Sequence, residues 1–272
     1  MYDLLLDAPS SASAMRAKAD ALGVSAGRNL ADAARDARIV ISAVTASSST
    51  DVAREAGGAL RAGQYFLDLN SVSPSTKRVN AQTVEVSGAR YVEAAVMAPI
   101  LPAGMQTPML LGGSAAPELR QLLAHAGMKL EIAATEIGRA SAIKMCRSIM
   151  IKGLEALTVE CLQTARMYGV EDEVIASLST SYPSMEWERL AGYLIERVVR
   201  HGRRRAAEMR ESAITVQETG LEPFMASATA ERQDAVADLV AREPALKDMS
   251  ESEWRAVLDA LARLAKLRAM RA

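Results

Sequence analysis

The sequence has little of what marks a metalloprotein, a disulfide scaffold, a secreted chain or a membrane span. Its 272 residues include only two cysteines, Cys146 and Cys161, and two histidines. The cysteines have no CxxC spacing and the histidines do not cluster, so neither a disulfide framework nor a zinc site is expected. No apolar run reaches the roughly 18–20 residues that cross a bilayer. The N-terminus lacks the basic-then-apolar order of a signal peptide. A cytoplasmic location with no membrane partner is therefore the expectation. Lys plus Arg number 32 against 33 Asp plus Glu, which leaves no field of one sign to hold a polyanion, and no nucleic-acid partner is expected. No internal repeat or low-complexity segment is present.

Apolar residues make up 50% of the chain, enough to bury a sizeable core. In the first half, short apolar runs alternate with alanine-rich stretches. The runs Tyr2–Leu6, Ile39–Val44, Tyr65–Leu69, Arg90–Val96 and Met109–Gly112 read as strands, and 14–22, 48–62 and 75–86 read as helices. Continuous apolar strands alternating with helices predict a parallel, doubly wound α/β sheet of Rossmann type. After about residue 136 the strand pattern stops. Gly138–Tyr168 is a long stretch with no proline, expected to form a helix linking two domains. Further helices are expected at 171–178, at 185–220 with a break near His201-Gly202, at 228–242 and at 250–271, the last opened by a capping box of Ser250 and Glu253. The predicted organisation is an α/β domain over 1–136 and an all-helical domain over 137–272.

Several segments carry candidate chemistry, each with a plainer alternative. Tyr2-Asp3 opens the chain as the end of a strand. At that place an acid accepts bonds from ribose hydroxyls and repels a 2′-phosphate, favouring NAD over NADP; alternatively it is an exposed acid at a chain start. No GxGxxG precedes it, although such a loop brings backbone N–H groups to a pyrophosphate. A strand, a glycine loop and a helix are therefore expected upstream of Tyr2. The turn Asp68-Leu69-Asn70-Ser71-Val72-Ser73-Pro74 follows a strand and precedes a helix, which puts its polar groups at the carboxyl edge of the sheet. Serine followed by proline is also ordinary helix-start grammar. Lys144, Ser148 and Lys152 share one stripe of the long helix. A lysine there either relays a proton to a substrate oxygen or belongs to a solvated stripe. His201, Arg204, Arg205 and Glu208 form a basic cluster that either clamps an acidic group or is a solvated ion-pair network.

Taken in order, a Rossmann-like half, Asp-x-Asn-Ser-x-x-Pro, and Gly138-Arg139-Ala140-Ser141-Ala142-Ile143-Lys144 opening a long helix resemble the β-hydroxyacid dehydrogenase and 6-phosphogluconate dehydrogenase superfamily. The stretch from Lys144 to Leu157, with His201 to Met209, more narrowly resembles a bacterial subfamily whose C-terminal helical domain has no assigned function. The resemblance implies an NAD- or NADP-dependent dehydrogenase acting on a CH–OH group of a small-molecule substrate, with Lys144 as general acid/base. It implies that Asn70, Ser71, Ser148, His201, Arg204 and Arg205 face substrate and that Asp3, Val44, Thr45 and Asn70 face cofactor. The chain departs from the pattern at four places: Ser148 stands where asparagine is usual, Met97-Ala98-Pro99 replaces a Ser-Gly-Gly turn, Ala207 falls near a cofactor-facing lysine, and Ile151 replaces a second acid. Phosphogluconate is therefore not expected as substrate. An imine reductase of the same fold, or a non-catalytic helical dimer with a degenerate nucleotide fold, are the alternatives. A homodimer is expected because Leu258, Leu261, Leu264 and Leu267 give the last helix an extended apolar face, which can instead close on its own subunit.

Overall fold

A computed structural model describes residues 1–269. The chain divides into two compact units, Met1–Lys144 and Met145–Ala272.

The first unit is a five-stranded sheet in sequential order: β1 (Ile39–Ser42), β2 (Tyr65–Asp68), β3 (Arg90–Val96), β4 (Met109–Gly112) and β5 (Leu130–Ala134). The β1–β2, β2–β3 and β4–β5 pairs are parallel, whereas β3–β4 is antiparallel, so the expected all-parallel sheet is in fact mixed. The link from β3 to β4 carries no α-helix, only a short 3-10 turn at Gly104–Gln106, and without a crossover helix the chain reverses. Alternation along each strand supplies both faces. Phe66 and Tyr91 pack with α3 (Ser49–Ala59) and α4 (Pro74–Glu85) on one side. Tyr65, Leu67, Val92 and Ala94 pack with α5 (Ala116–Leu123) on the other. Ahead of the sheet lie α1 (Ala12–Ala21) and α2 (Leu30–Ala34).

The expected first strand does not form. Leu4–Leu6 is a 3-10 turn, capped by Asp3, whose Oδ1 accepts from Leu5 N at 2.9 Å. An extended segment needs a neighbour for its ladder, and the Asp3 carboxylate instead satisfies the backbone locally. β5 carries no continuous apolar run to mark it as a strand, because Glu131 separates Leu130 from Ile132 and two alanines follow.

The long helix α6 spans Arg139–Tyr168, beginning in the first unit and continuing through the second. In the second unit it is followed by α7 (Glu171–Ser181), α8 (Trp187–Gln217), α9 (Phe224–Val240) and α10 (Trp254–Ala269). The expected break near His201-Gly202 is absent, and α8 is continuous. A Cβ at Gly202 would lie 2.8 Å from the Gln233 carbonyl, so this glycine admits close approach of α9 instead of ending a helix. The Ser250–Glu253 capping box forms as expected, with Ser250 N donating to Glu253 Oε2 at 2.8 Å. Leu258, Leu261 and Leu264 are buried in the core of their own unit, with Ile195, Val198, Leu239 and Trp254. The face invoked for a homodimer is thus largely covered within the chain, and only Leu267 remains exposed. Arg271 lies outside the described residues. No helix among the described residues is long and apolar enough to cross a membrane.

Candidate active site at the carboxyl edge of the sheet

The strand register sets Ser42 and Asp68, the last residues of β1 and β2, side by side with Glu93 of β3. Backbone leaving a sheet loses its ladder partners, and here buried side chains replace them.

Asp68 is fully buried and is the hub of the turn after β2. Its Oδ1 accepts from Asn70 N at 2.8 Å, and its Oδ2 accepts from the Tyr91 hydroxyl at 2.6 Å. Lys77 Nζ lies 2.9 Å from Oδ1 and donates to the Asp68 carbonyl at 2.9 Å. Burial, then the Asp68 charge, hold the Tyr91 phenol well above its ordinary range, so it remains a donor. Asn70 is also buried. Its Oδ1 accepts from Val44 N at 2.7 Å, and its Nδ2 donates to Ser42 Oγ at 2.9 Å and Ser49 Oγ at 3.3 Å. That side chain pins the ends of β1 and β2 to the start of α3. Ser73 caps α4 through Thr76 N, with Pro74 in the first turn. The helix-start reading of the turn therefore holds at Ser73, and the chemical reading is left to Ser71.

Glu93 is buried at the middle of β3 and caps α6. Its Oε1 accepts from Gly138 N at 2.7 Å and Ala140 N at 3.1 Å, and its Oε2 accepts from Ser141 N at 3.3 Å. Three otherwise orphaned amides and the positive end of the helix dipole thereby meet one carboxylate. A Cβ on Gly112, the residue paired with Glu93 on β4, would overlap that carboxylate. One and a half turns into α6, Lys144 Nζ donates to Ser71 Oγ at 2.6 Å. The sheet edge therefore fixes both members of the Lys144–Ser71 pair: Asp68 and Asn70 set the turn, and Glu93 sets the helix.

Val44 and Thr45 follow β1. Thr45 Oγ1 lies 3.1 Å from Ser47 Oγ and 3.0 Å from Ser48 Oγ, and Val44 is partly exposed.

In the second unit, Arg205 Nε donates to Glu155 Oε2 at 2.6 Å and its Nη2 to Oε1, with both side chains buried. Arg204 is exposed and pairs with Glu208. His201 is pushed down to about 4 by burial and by the charges of Arg197, Arg204, Arg205 and Arg200, which leaves it neutral at pH 7.

An uncharacterized 28.5 kDa protein from the 7S RNA 5′ region of Methanothermus fervidus is 30% identical over 211 residues, 76% of this chain and 79% of the relative. A conserved hypothetical protein from Sinorhizobium meliloti 1021 has a solved structure at 35% identity and TM-score 0.74, covering 97% of this chain and 87% of that one. A conserved protein of unknown function, described as structurally similar to 3-hydroxyacid dehydrogenases, matches at 30% identity and TM-score 0.65 over 86% of each chain. Residues 165–236 match a domain of unknown function, DUF1932. The chain belongs to the 3-hydroxyacid dehydrogenase-like superfamily. At 20% identity and TM-score 0.63, a Mycobacterium tuberculosis 3-hydroxyisobutyrate dehydrogenase solved with L-serine shares its fold, covering 93% of this chain and 88% of that one.

Within this 3-hydroxyacid dehydrogenase-like chain, the structure brings Val44, Asn70, Ser71 and Lys144 together through the hydrogen bonds above. It does not bring Asp3 to a strand end, and it places Arg205 in a core ion pair instead of on a ligand-facing surface. Ser148 is buried and bonds to Lys152 Nζ at 3.0 Å. Glu93 was missed by sequence reasoning. Its one signal was an acid inside an otherwise apolar strand, where burial requires partners.

Proposed function

We propose that this chain is a nicotinamide-dependent oxidoreductase interconverting a small hydroxy acid and its carbonyl form, with Lys144 as the general acid/base. The observation that carries the reading is the 2.6 Å bond from Lys144 Nζ to Ser71 Oγ at the carboxyl edge of the sheet, the edge where ligands bind in open α/β folds.

The residues after β1 fit a nicotinamide. Thr45, Ser47 and Ser48 offer neutral hydroxyls next to the partly exposed Val44, a donor set suited to an uncharged carboxamide beside a flat ring. Val44 and Thr45 would hold it. When bound, the nicotinamide supplies or accepts the hydride. Lys144 does the proton work at the substrate oxygen: as the amine it takes the hydroxyl proton during oxidation, and as the ammonium it returns one during reduction. Ser71 fixes the direction of Nζ by accepting its hydrogen bond. Ser148, one helical turn after Lys144, contacts the substrate. Asn70 acts indirectly by holding the turn. With Asp3 capping a 3-10 turn, the argument for NAD over NADP lapses, and the proposal takes either.

Fluorescence titration with NADH and NADPH, followed by product analysis on a panel of 3-hydroxy acids, tests the reading. Saturable binding of one cofactor and formation of the oxo acid are expected. Reduction of a ketone only when an amine is supplied would turn the assignment to C=N chemistry. Absence of cofactor binding would remove the oxidoreductase reading.

A further inference from the structure

The helical unit buries a second lysine on α6. Lys152 is 6% exposed; its Nζ donates to Ser148 Oγ at 3.0 Å and lies 3.1 Å from Glu208 Oε2. Glu208 also accepts from Arg204, while Glu155 and Arg205 pair with each other. Glu155 and Arg205 cancel, so Lys152 and the exposed Arg204 stand against the one carboxylate of Glu208, an excess of one positive charge among these five side chains, with Lys152 the buried cation next to Ser148. Burial loosens the hold of Lys152 on its proton, and Glu208 acts in the opposite sense.

An ammonium has only donors, so the bond from Lys152 occupies a lone pair of the Ser148 oxygen and leaves the hydroxyl proton to be placed. Helical serines commonly return that proton to the carbonyl one turn back, as Ser212 does to the Glu208 carbonyl at 3.2 Å. Among the described residues, Ser148 has only its bond with Lys152. A buried hydroxyl with an unplaced proton gains most from an acceptor supplied by a ligand.

We propose that Lys152 is a positioning residue: by donating to Ser148 Oγ it makes that hydroxyl a donor, and by setting positive charge behind it selects a carboxylate over a neutral acceptor. This rests on the reading that a small hydroxy acid binds along α6, and it names the group of that substrate that Ser148 contacts.

Thermal-shift titration of the full chain with 3-hydroxypropionate, propionate and the corresponding amides tests it, because a ligand that binds the native state raises the melting temperature. The carboxylates are expected to stabilise the wild type and the amides are not. Lys152→Met and Ser148→Ala should each weaken carboxylate binding by about tenfold, the scale of one charge-assisted hydrogen bond. The carboxylate-over-amide preference should also collapse in Lys152→Met, which a merely structural role would not cause. The double variant should lose little more than the worse single one, and Lys152→Arg should retain part of the preference. Unchanged carboxylate affinity in Lys152→Met and Ser148→Ala, or no carboxylate binding by the wild type, overturns the proposal. If Lys152→Met does not fold, Ser148→Ala and Lys152→Arg decide it. Carboxylate selectivity that depends on Lys152, without nicotinamide-dependent turnover, would sink the functional reading and leave this one standing. Turnover without that dependence would do the reverse.

Discussion

The two units bury charge for different purposes. In the α/β unit the buried charges bind backbone even where, as in Asp68 and Lys77, they also pair: Asp68 holds Asn70 N, Lys77 holds the Asp68 carbonyl, and Glu93 holds three amides of the α6 start. In the helical unit the buried charges bind one another, as Glu155 does Arg205 and Lys152 does Glu208. Helical backbone is already satisfied, so charge there cross-links helices; chain leaving a sheet is not, so charge there sets its path. A site built on turns needs the first kind, and the Lys144–Ser71 pair stands on it.

Replacing both members of a buried pair separates the two kinds. Asp68→Leu/Lys77→Met removes a pair but also strands Asn70 N and the Tyr91 hydroxyl, so the double variant should stay destabilised by about 3–5 kcal/mol in urea unfolding. Glu155→Leu/Arg205→Met strands only the Gln233 amide, which donates to Glu155 Oε2 at 3.2 Å, so it should come back to within about 1–2 kcal/mol of wild type, whereas Arg205→Met alone, which leaves Glu155 buried without its cation, should cost about 3–5 kcal/mol. Equal behaviour of the two doubles would erase the distinction.

A smaller effect is expected at Glu93→Gln, which keeps the side-chain volume but loses the charge. Stability should fall by about 1–3 kcal/mol, with hydrogen-exchange protection of Ala140 and Ser141 falling more than that of residues later in α6. Uniform loss along the helix would mean that Glu93 is not the cap that matters.

The smallest effect concerns exposed pairs of the helical unit. Arg255 lowers the Glu188 carboxyl and Arg166 lowers the Asp259 carboxyl, each against burial. A carboxyl lowered in the folded state adds stability that is present above its unfolded value and is lost as pH falls through its folded value. Melting temperature should therefore be insensitive to these pairs from pH 8 to 6 and decline below about pH 4, by an amount equivalent to less than about 1 kcal/mol per pair. Arg255→Gln should remove the Glu188 share, and a loss on raising pH would contradict the sign.

The elements carrying strong local signals were legible in the sequence. β4 was a continuous apolar run, β3 an apolar run interrupted only by Glu93 after its opening Arg90, α6 was a long proline-free stretch, and the capping box at Ser250 formed as read. Lys144 and Ser71 were legible as candidates, but not their contact, which joins residues 73 positions apart. The rest depended on tertiary partners. Gly202 read as a break because sequence does not show the α9 backbone approaching it. Arg205 read as a clamp because Glu155, fifty positions away, was not visible as its partner. Asp3 read as a strand end because apolar runs do not reveal whether a neighbouring strand exists to pair with them.

The central claim is that Lys144 moves the proton. Lys144→Met keeps helix propensity and most of the stem while removing the ammonium. Turnover of the hydroxy acid, measured against pH with nicotinamide affinity in parallel, should fall by about two to four orders of magnitude while cofactor binding and melting temperature hold. Near-normal turnover across pH in Lys144→Met would place the acid/base elsewhere and contradict the account.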